Sequence, residues 1–268
     1  MIDRKTNEEL RLRFNPEGSQ LRRLQLRMLG ILKAVDGICR RHGISYWLSS
    51  GTLIGAARHG GFIPWDDDLD IEMMRSDYLR LLKLLPGELP QGLALQTPET
   101  DPAYFYCYAK VRDTASEISE TNRYDRAFKY RGAYIDIFPM ERQSMAAHLI
   151  SEKALGHAYK IWRTSTDDRK AMRKIRLLYR ANTRLLHPLL RMACKLPGKK
   201  TITSGLGMPY HNPRLEEDIF PLTEIRFEDG NFPAPGNTDH LLRMIYGDYG
   251  KLPDIGGIKP HTDHVRLF

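Results

Sequence analysis

The stretch GGFIPWDDDLDIEM (Gly60–Met73) constrains the fold more than any other part of the chain. Four aspartates, Asp66, Asp67, Asp68 and Asp70, fall within five residues, and the last two alternate with Leu69 and Ile71. In an extended chain, residues i and i+2 share a face. Leu69 and Ile71 then enter a core and hold Asp68 and Asp70 side by side on the opposite face. Two carboxylates so placed repel each other unless a positive charge sits between them. The segment GAYIDIFPM (Gly132–Met140) repeats the pattern, with Asp136 between Ile135 and Ile137. If the two strands are neighbours in one sheet, Asp136 completes a three-carboxylate cluster. Such a hard-oxygen donor set suits Mg²⁺ or Mn²⁺. The plainer alternative is a solvated acidic turn and a strand-end charge. The recurrence of a carboxylate between branched apolar residues favours the metal. Asp67 is expected to be only a solvated neighbour.

The 268 residues allow one sizeable domain with an appendage. With 41% hydrophobic and 28% charged residues, the composition is that of a folded globular protein. No run of 18 apolar residues reads as a membrane span. The start, MIDRKTNEELRLRF, lacks the apolar segment of a signal peptide. The expected location is therefore cytoplasmic. Cys39, Cys107 and Cys194 lack motif spacing and read as reduced structural thiols. The net charge is +8, yet residues 169–200 hold eleven Lys or Arg and no Asp or Glu. The rest of the chain is therefore slightly acidic, and whole-protein binding to nucleic acid is not expected.

Apolar Leu21, Leu24, Met28, Ile31, Leu32, Val35 and Ile38 recur at helical spacing, with Ser19 as the cap and Gly43 just past the end. ISYWLSS (44–50) reads as a strand and GTLIGAARHG as a turn into a short helix. LDIEM is a second strand, and SDYLRLLKLLP a helix stopped by Pro86. GLALQT, YFYCYAKVR and GAYIDIFPM are further strands, in a sheet of about four to six. The fold class is α+β, a mixed sheet flanked by helices, with a mainly helical, basic insertion. The division expected is an N-terminal extension (1–18), a catalytic core (19–141), a basic helical segment (142–205) and a turn-rich end (206–268). In the basic segment Ile175, Leu178, Leu185, Leu186, Leu189 and Leu190 accompany the cations. That fits a helix pair with one wet face. It also fits an interfacial helix over 169–200 that meets anionic lipid at the inner face of a membrane.

SSGTLIGAA (Ser49–Ala57) places Gly51 and Thr52 between a strand and a helix, where free amides and a hydroxyl suit a phosphate. A phosphate turn followed by a strand with two carboxylates is the layout of nucleotidyltransferase-fold enzymes. Lys110 and Arg112 share a strand face and are candidates for phosphate oxygens; a solvated strand face is the alternative. Arg58 and His59 follow the turn's helix and are candidates for donor contact or for a surface role. Trp65 reads as packing rather than base stacking.

The run from Tyr46 to Met73 resembles the LicD family of phosphotransferases, and with it the catalytic domains of fukutin and fukutin-related protein. YAKVRDTAS (Tyr108–Ser116), GAYIDIFPM and NFPAPGNTDHLLRMIYGDYGKLP (231–253) resemble later family segments in the same order. The resemblance covers roughly 20–140 and 215–260; the basic middle matches nothing. Met140 stands where many relatives are acidic. The resemblance implies a nucleotidyltransferase fold and metal dependence. It implies transfer of a phospho-alcohol group, phosphocholine foremost with phosphoethanolamine or a polyol phosphate open, from a CDP-linked donor to a glycan hydroxyl. By position, Asp68 and Asp70 are similar to the paired metal ligands and Asp136 to the third, while Gly51 and Thr52 match the phosphate turn. In-line attack on the β-phosphorus would release CMP, with Asp136 or Asp66 accepting the proton. For choline, Tyr104, Phe105, Tyr106, Tyr108, Tyr124, Phe128 and Tyr130 offer rings. Two rivals stand: a nucleotidyltransferase moving an NMP group from an NTP to a protein, RNA or small molecule, and a non-catalytic binding protein. The intact carboxylates argue against the latter.

Overall fold

The computed structural model describes residues 2–194, 201–210, 212–257 and 262–268. The order is α1 (Arg4–Phe14), α2 (Gln20–Arg41), β1 (Trp47–Leu48), α3 (Ser50–His59), β2 (Asp70–Met74), α4 (Arg75–Glu88), β3 (Leu93–Gln96), β4 (Ala109–Asp113), β5 (Ser116–Glu120) and β6 (Tyr134–Gln143). It continues with α5 (Met145–Thr164), α6 (Asp168–Ala181), α7 (His187–Ala193), β7 (Thr201–Ser204), α8 (Glu216–Ile219), β8 (Thr223–Phe227), β9 (Gly230–Ala234), α9 (Thr238–Tyr246) and β10 (Thr262–Leu267). Among the described residues the main sheet has six strands in the order β1-β2-β6-β4-β3, with β7 beside the far half of β6. The β2–β6 pair is parallel and the other pairs are antiparallel, so the sheet is mixed as expected.

Helix α2 starts where Ser19 accepts from the Arg22 N–H, and Gly43 follows its end at φ 56°. From Leu24 to Ile38 its predicted apolar stripe is buried against the sheet together with Leu69, Ile71, Ile135 and Ile137, while Leu21 in the first turn is only half-buried. Helix α4 does not stop at Pro86 but runs to Glu88. A proline in the last turn removes a single hydrogen bond, and the Leu89 N–H still reaches Leu85 O at 3.0 Å. The segment Tyr104–Tyr108 is not strand, because its rings leave the sheet to build a second core. There Tyr104, Phe105, Tyr106, Tyr108, Phe128 and Phe138 meet Leu155, Trp162, Met172 and Ile175 from α5 and α6. The basic segment thus buries one apolar face in that core; residues 195–200 of it lie outside the described residues. Met140 is fully buried with Trp47, Ile202 and Ile219.

Candidate active site

Strands β2 and β6 pair in the register Asp70↔Asp136, and β6 and β4 in the register Lys110↔Asp136. One row across three strands therefore reads Lys110, Asp136, Asp70. Asp68 lies just before β2 rather than within it, yet the burial alternation holds: Leu69 and Ile71 are inaccessible while Asp68 and Asp70 are partly buried. Asp66, Asp68, Asp70 and Asp136 line one cavity of about 370 Å³, with Gly51, Glu72, Tyr210 and Arg214.

The start of α3 is tied to this edge. The Asp70 N–H donates to Thr52 Oγ1 at 2.9 Å, and the Ser49 N–H to Asp70 O at 3.1 Å. Thr52 is buried, so its hydroxyl orients β2. Gly51 faces the cavity, and a Cβ there would come within 2.7 Å of Asp66 Oδ2. Only glycine lets the Asp66 carboxylate close on the helix start, where the partial positive charge favours an anion.

Electrostatics separate these carboxylates from surface acids. Burial, then the charges of Asp68, Asp136 and Asp66, push the Asp70 carboxyl well above its ordinary range, while Lys110 pulls it down. Burial pushes Asp136 up to about 6, against the pull of Lys110. Lys110 Nζ lies 2.7 Å from Asp136 Oδ1, as an ion pair rather than an aligned hydrogen bond. Among the described residues no three His, Cys, Asp or Glu side chains stand close enough to clamp a metal as placed. The donor chemistry nonetheless fits a hard divalent cation: aspartates on one wall raise one another's cost of ionisation, which a cation would relieve.

Several expected residues work elsewhere. Arg112 is fully buried and donates to Gln96 Oε1 at 2.8 Å and Gly132 O at 2.9 Å, so it braces the sheet and does not line the cavity. Arg58 is buried and donates to Tyr249 O at 2.8 Å and His59 Nε2 at 2.9 Å, pinning the C-terminal segment. Trp65 packs edge-on against Phe14 at 5.3 Å. Asp67 is not solvated: it is buried, and Thr262 donates both its N–H (2.8 Å) and its hydroxyl (2.7 Å) to Oδ2. It fastens β10 beneath the aspartate run. Asp67→Ala is expected to cost about 2–3 kcal/mol in denaturant unfolding, because it strands two buried donors.

His59 offers a pH test of the same region. Its Nε2 accepts from Arg58 and its Nδ1–H donates to Asn7 Oδ1 at 2.7 Å, so a second proton would point at a guanidinium. Burial, then Arg58, push it down to about 3. With the folded value below the unfolded 6.5, stability is whole above pH 6.5 and declines as pH falls toward 3. We expect roughly 1–2 kcal/mol lost by pH 5, and a flatter unfolding profile in His59→Gln.

Glu72 and Arg214 also line the cavity, and neither stands out in the sequence. Glu72 is the next i+2 position after Asp70; it accepts from Trp47 Nε1 at 2.9 Å and from Arg214 Nη2 at 2.7 Å. Arg214 is held by an isolated antiparallel bridge to Ile202 of β7 and carried no local signal.

The family described as LicD/FKTN/FKRP, nucleotidyltransferase domain, matches residues 43–192, so the likeness extends through the basic helices that had seemed to match nothing. The chain is 30% identical to the lipopolysaccharide cholinephosphotransferase LicD of Haemophilus influenzae over 262 residues, 92% of this chain and 96% of that protein. It is 49% identical to human ribitol 5-phosphate transferase FKRP over 43 residues, 16% of this chain and 9% of that one. A match over more than half of the chain, and a relative aligned along nearly its whole length, show that this chain belongs to the LicD family.

Proposed function

We propose that the chain, a phosphotransferase of the LicD family, moves phosphocholine from CDP-choline to a sugar hydroxyl of a glycan and releases CMP. The observation that carries this reading is the convergence of Asp68, Asp70 and Asp136 on one cavity, with Lys110 beside them. Asp68, Asp70 and Asp136 would hold Mg²⁺ or Mn²⁺, which supplies charge neutralisation for a diphosphate. Lys110 is the cation placed to meet phosphate oxygens once it leaves Asp136. The acceptor oxygen forms its bond to the β-phosphorus as the bond to the bridging oxygen breaks, and that oxygen departs with CMP. The hydroxyl proton passes to Asp66 or Asp136, both of which line the cavity. A thermal-shift screen of CDP-choline, CDP-ethanolamine, CDP-ribitol and CDP-glycerol with either metal tests the donor. CDP-choline is expected to give the largest shift, and a larger shift from another donor would reassign the head group.

The same reading places the enzyme at the inner face of a membrane. No helix among the described residues is long and apolar enough to cross one. Leu177, Leu185, Leu189 and Met192 nevertheless stand 62–71% exposed, among exposed Arg173, Lys174, Arg180 and Arg184. That combination supports peripheral contact with anionic lipid. Co-sedimentation should rise with the anionic fraction of liposomes and fall with salt; binding indifferent to both would remove the contact.

A further inference from the structure

A second cavity, of about 260 Å³, adjoins the first and shares Asp68, Asp136 and Tyr210 with it. Tyr106, Tyr108, Tyr124, Tyr134 and Tyr159 line it, together with Glu120 and Lys110. Its volume falls below the usual range of about 300–1,000 Å³ for sites that hold drug-sized ligands, so it suits a small group rather than a sugar or nucleotide.

Two independent features say what charge that group carries. First, the rings already hold a cation: Lys110 Nζ sits 3.5 Å from the Tyr134 ring centre, 5.6 Å from Tyr108 and 6.0 Å from Tyr106. Second, Glu120 is buried, yet its Oε1 accepts no hydrogen bond. Arg112 and Lys110 come only to 3.6 and 3.9 Å, and its Oε2 takes one long bond, 3.4 Å, from the Tyr106 hydroxyl. A buried carboxylate beside aromatic faces suits a cation, and the ring faces suit one whose charge is spread over methyl groups. A quaternary ammonium is that cation. A polyol offers no charge for Glu120 to meet.

We propose that this second cavity is the head-group subsite, where Glu120 and the rings of Tyr106, Tyr108, Tyr124 and Tyr159 enclose the trimethylammonium of a phosphocholine donor. The assignment rests on the proposed function and deepens it. In phosphocholine the nitrogen is two carbons and an ester oxygen from phosphorus. A head group in the second cavity therefore leaves the phosphorus at Asp68 and Asp136, which both cavities share, and the nucleotide in the first. Tyr124 comes from the turn after β5 and Tyr159 from α5, so the basic helical segment closes one side of the specificity pocket.

The test compares phosphocholine with 3,3-dimethylbutyl phosphate, its uncharged isostere, by calorimetric titration of the full chain. The wild type should bind phosphocholine about tenfold more tightly than the isostere. Glu120→Gln and, separately, Tyr159→Leu should erase that preference while leaving affinity for the isostere within about twofold of wild type. A merely structural role would weaken both ligands alike. Tyr159 is only partly buried, so its variant remains informative should Glu120→Gln fail to fold. Equal binding of the two ligands by the wild type, or an undiminished preference in Tyr159→Leu, overturns the subsite. If the wild type turns over CDP-choline but shows no charge preference, the subsite fails and the function stands. If it selects phosphocholine but turns over only another CDP-alcohol, the function fails and the subsite stands.

Discussion

Asp70→Asn should lower turnover about 10³-fold and at the same time raise the melting temperature measured in EDTA. Both effects follow from the placement of Asp70. Its carboxyl is raised by burial and by Asp68, Asp136 and Asp66, so near neutral pH the charge works against folding. A group whose folded pKa lies above the unfolded one stabilises the fold below the unfolded value, and that contribution is lost as pH rises through the folded value. The neutral amide removes the loss without changing shape, while Leu69 and Ile71 still hold the segment in place. Activity moves the other way, because the amide is a poor ligand for a hard cation. Wild-type protein should therefore gain melting temperature on adding Mg²⁺ or Mn²⁺, and Asp70→Asn should gain much less. Asp68→Asn should likewise lose turnover and keep its fold. Full activity in either variant would remove the metal assignment.

Arg214→Ala should be among the most destabilising single changes, about 3–5 kcal/mol. Arg214 and Glu72 are both buried and bonded at 2.7 Å, and Glu72 also receives the Trp47 indole. Removing the guanidinium strands a carboxylate in a wall that already holds Asp70 two residues away. The double variant Glu72→Leu with Arg214→Met should recover part of that loss, since an apolar pair of similar volume buries no charge, although it leaves the Trp47 indole N–H without its acceptor. Equilibrium urea unfolding of the three proteins checks this. A double variant no more stable than Arg214→Ala would show that the ion pair itself, rather than the orphaned charge, is what matters.

How far the site could be read from sequence depends on whether its partners are local. Asp68, Asp70 and Asp136 were legible because period-two burial beside Leu69, Ile71, Ile135 and Ile137 fixes their direction without knowledge of the rest of the chain. The parallel pairing of β2 with β6, which brings Asp70 beside Asp136, was a condition that only the fold could meet. Asp67 and Asp66 look alike in sequence, yet Asp67 is buried by Thr262, 195 residues on. Arg58 and Arg112 carry the right charge for a diphosphate, but their guanidinium groups are committed to backbone carbonyls whose positions depend on tertiary packing. The aromatic run after Pro102 has the residue types of a strand. It leaves the sheet because its rings gain more by packing on α5 and α6, and Tyr159 and Tyr210 enter the second cavity from segments with no motif.

In the proposed reaction a phospho-alcohol leaves a CDP-linked donor in a site where Asp68, Asp70 and Asp136 would hold a divalent cation. The most direct measurement is product analysis after incubating the protein with CDP-choline, a glycan acceptor and Mg²⁺. We expect CMP and phosphocholine-bearing glycan in equal amounts, with both abolished by EDTA. Undiminished CMP release in EDTA, or pyrophosphate release from an NTP with the NMP group left on an acceptor, would contradict it.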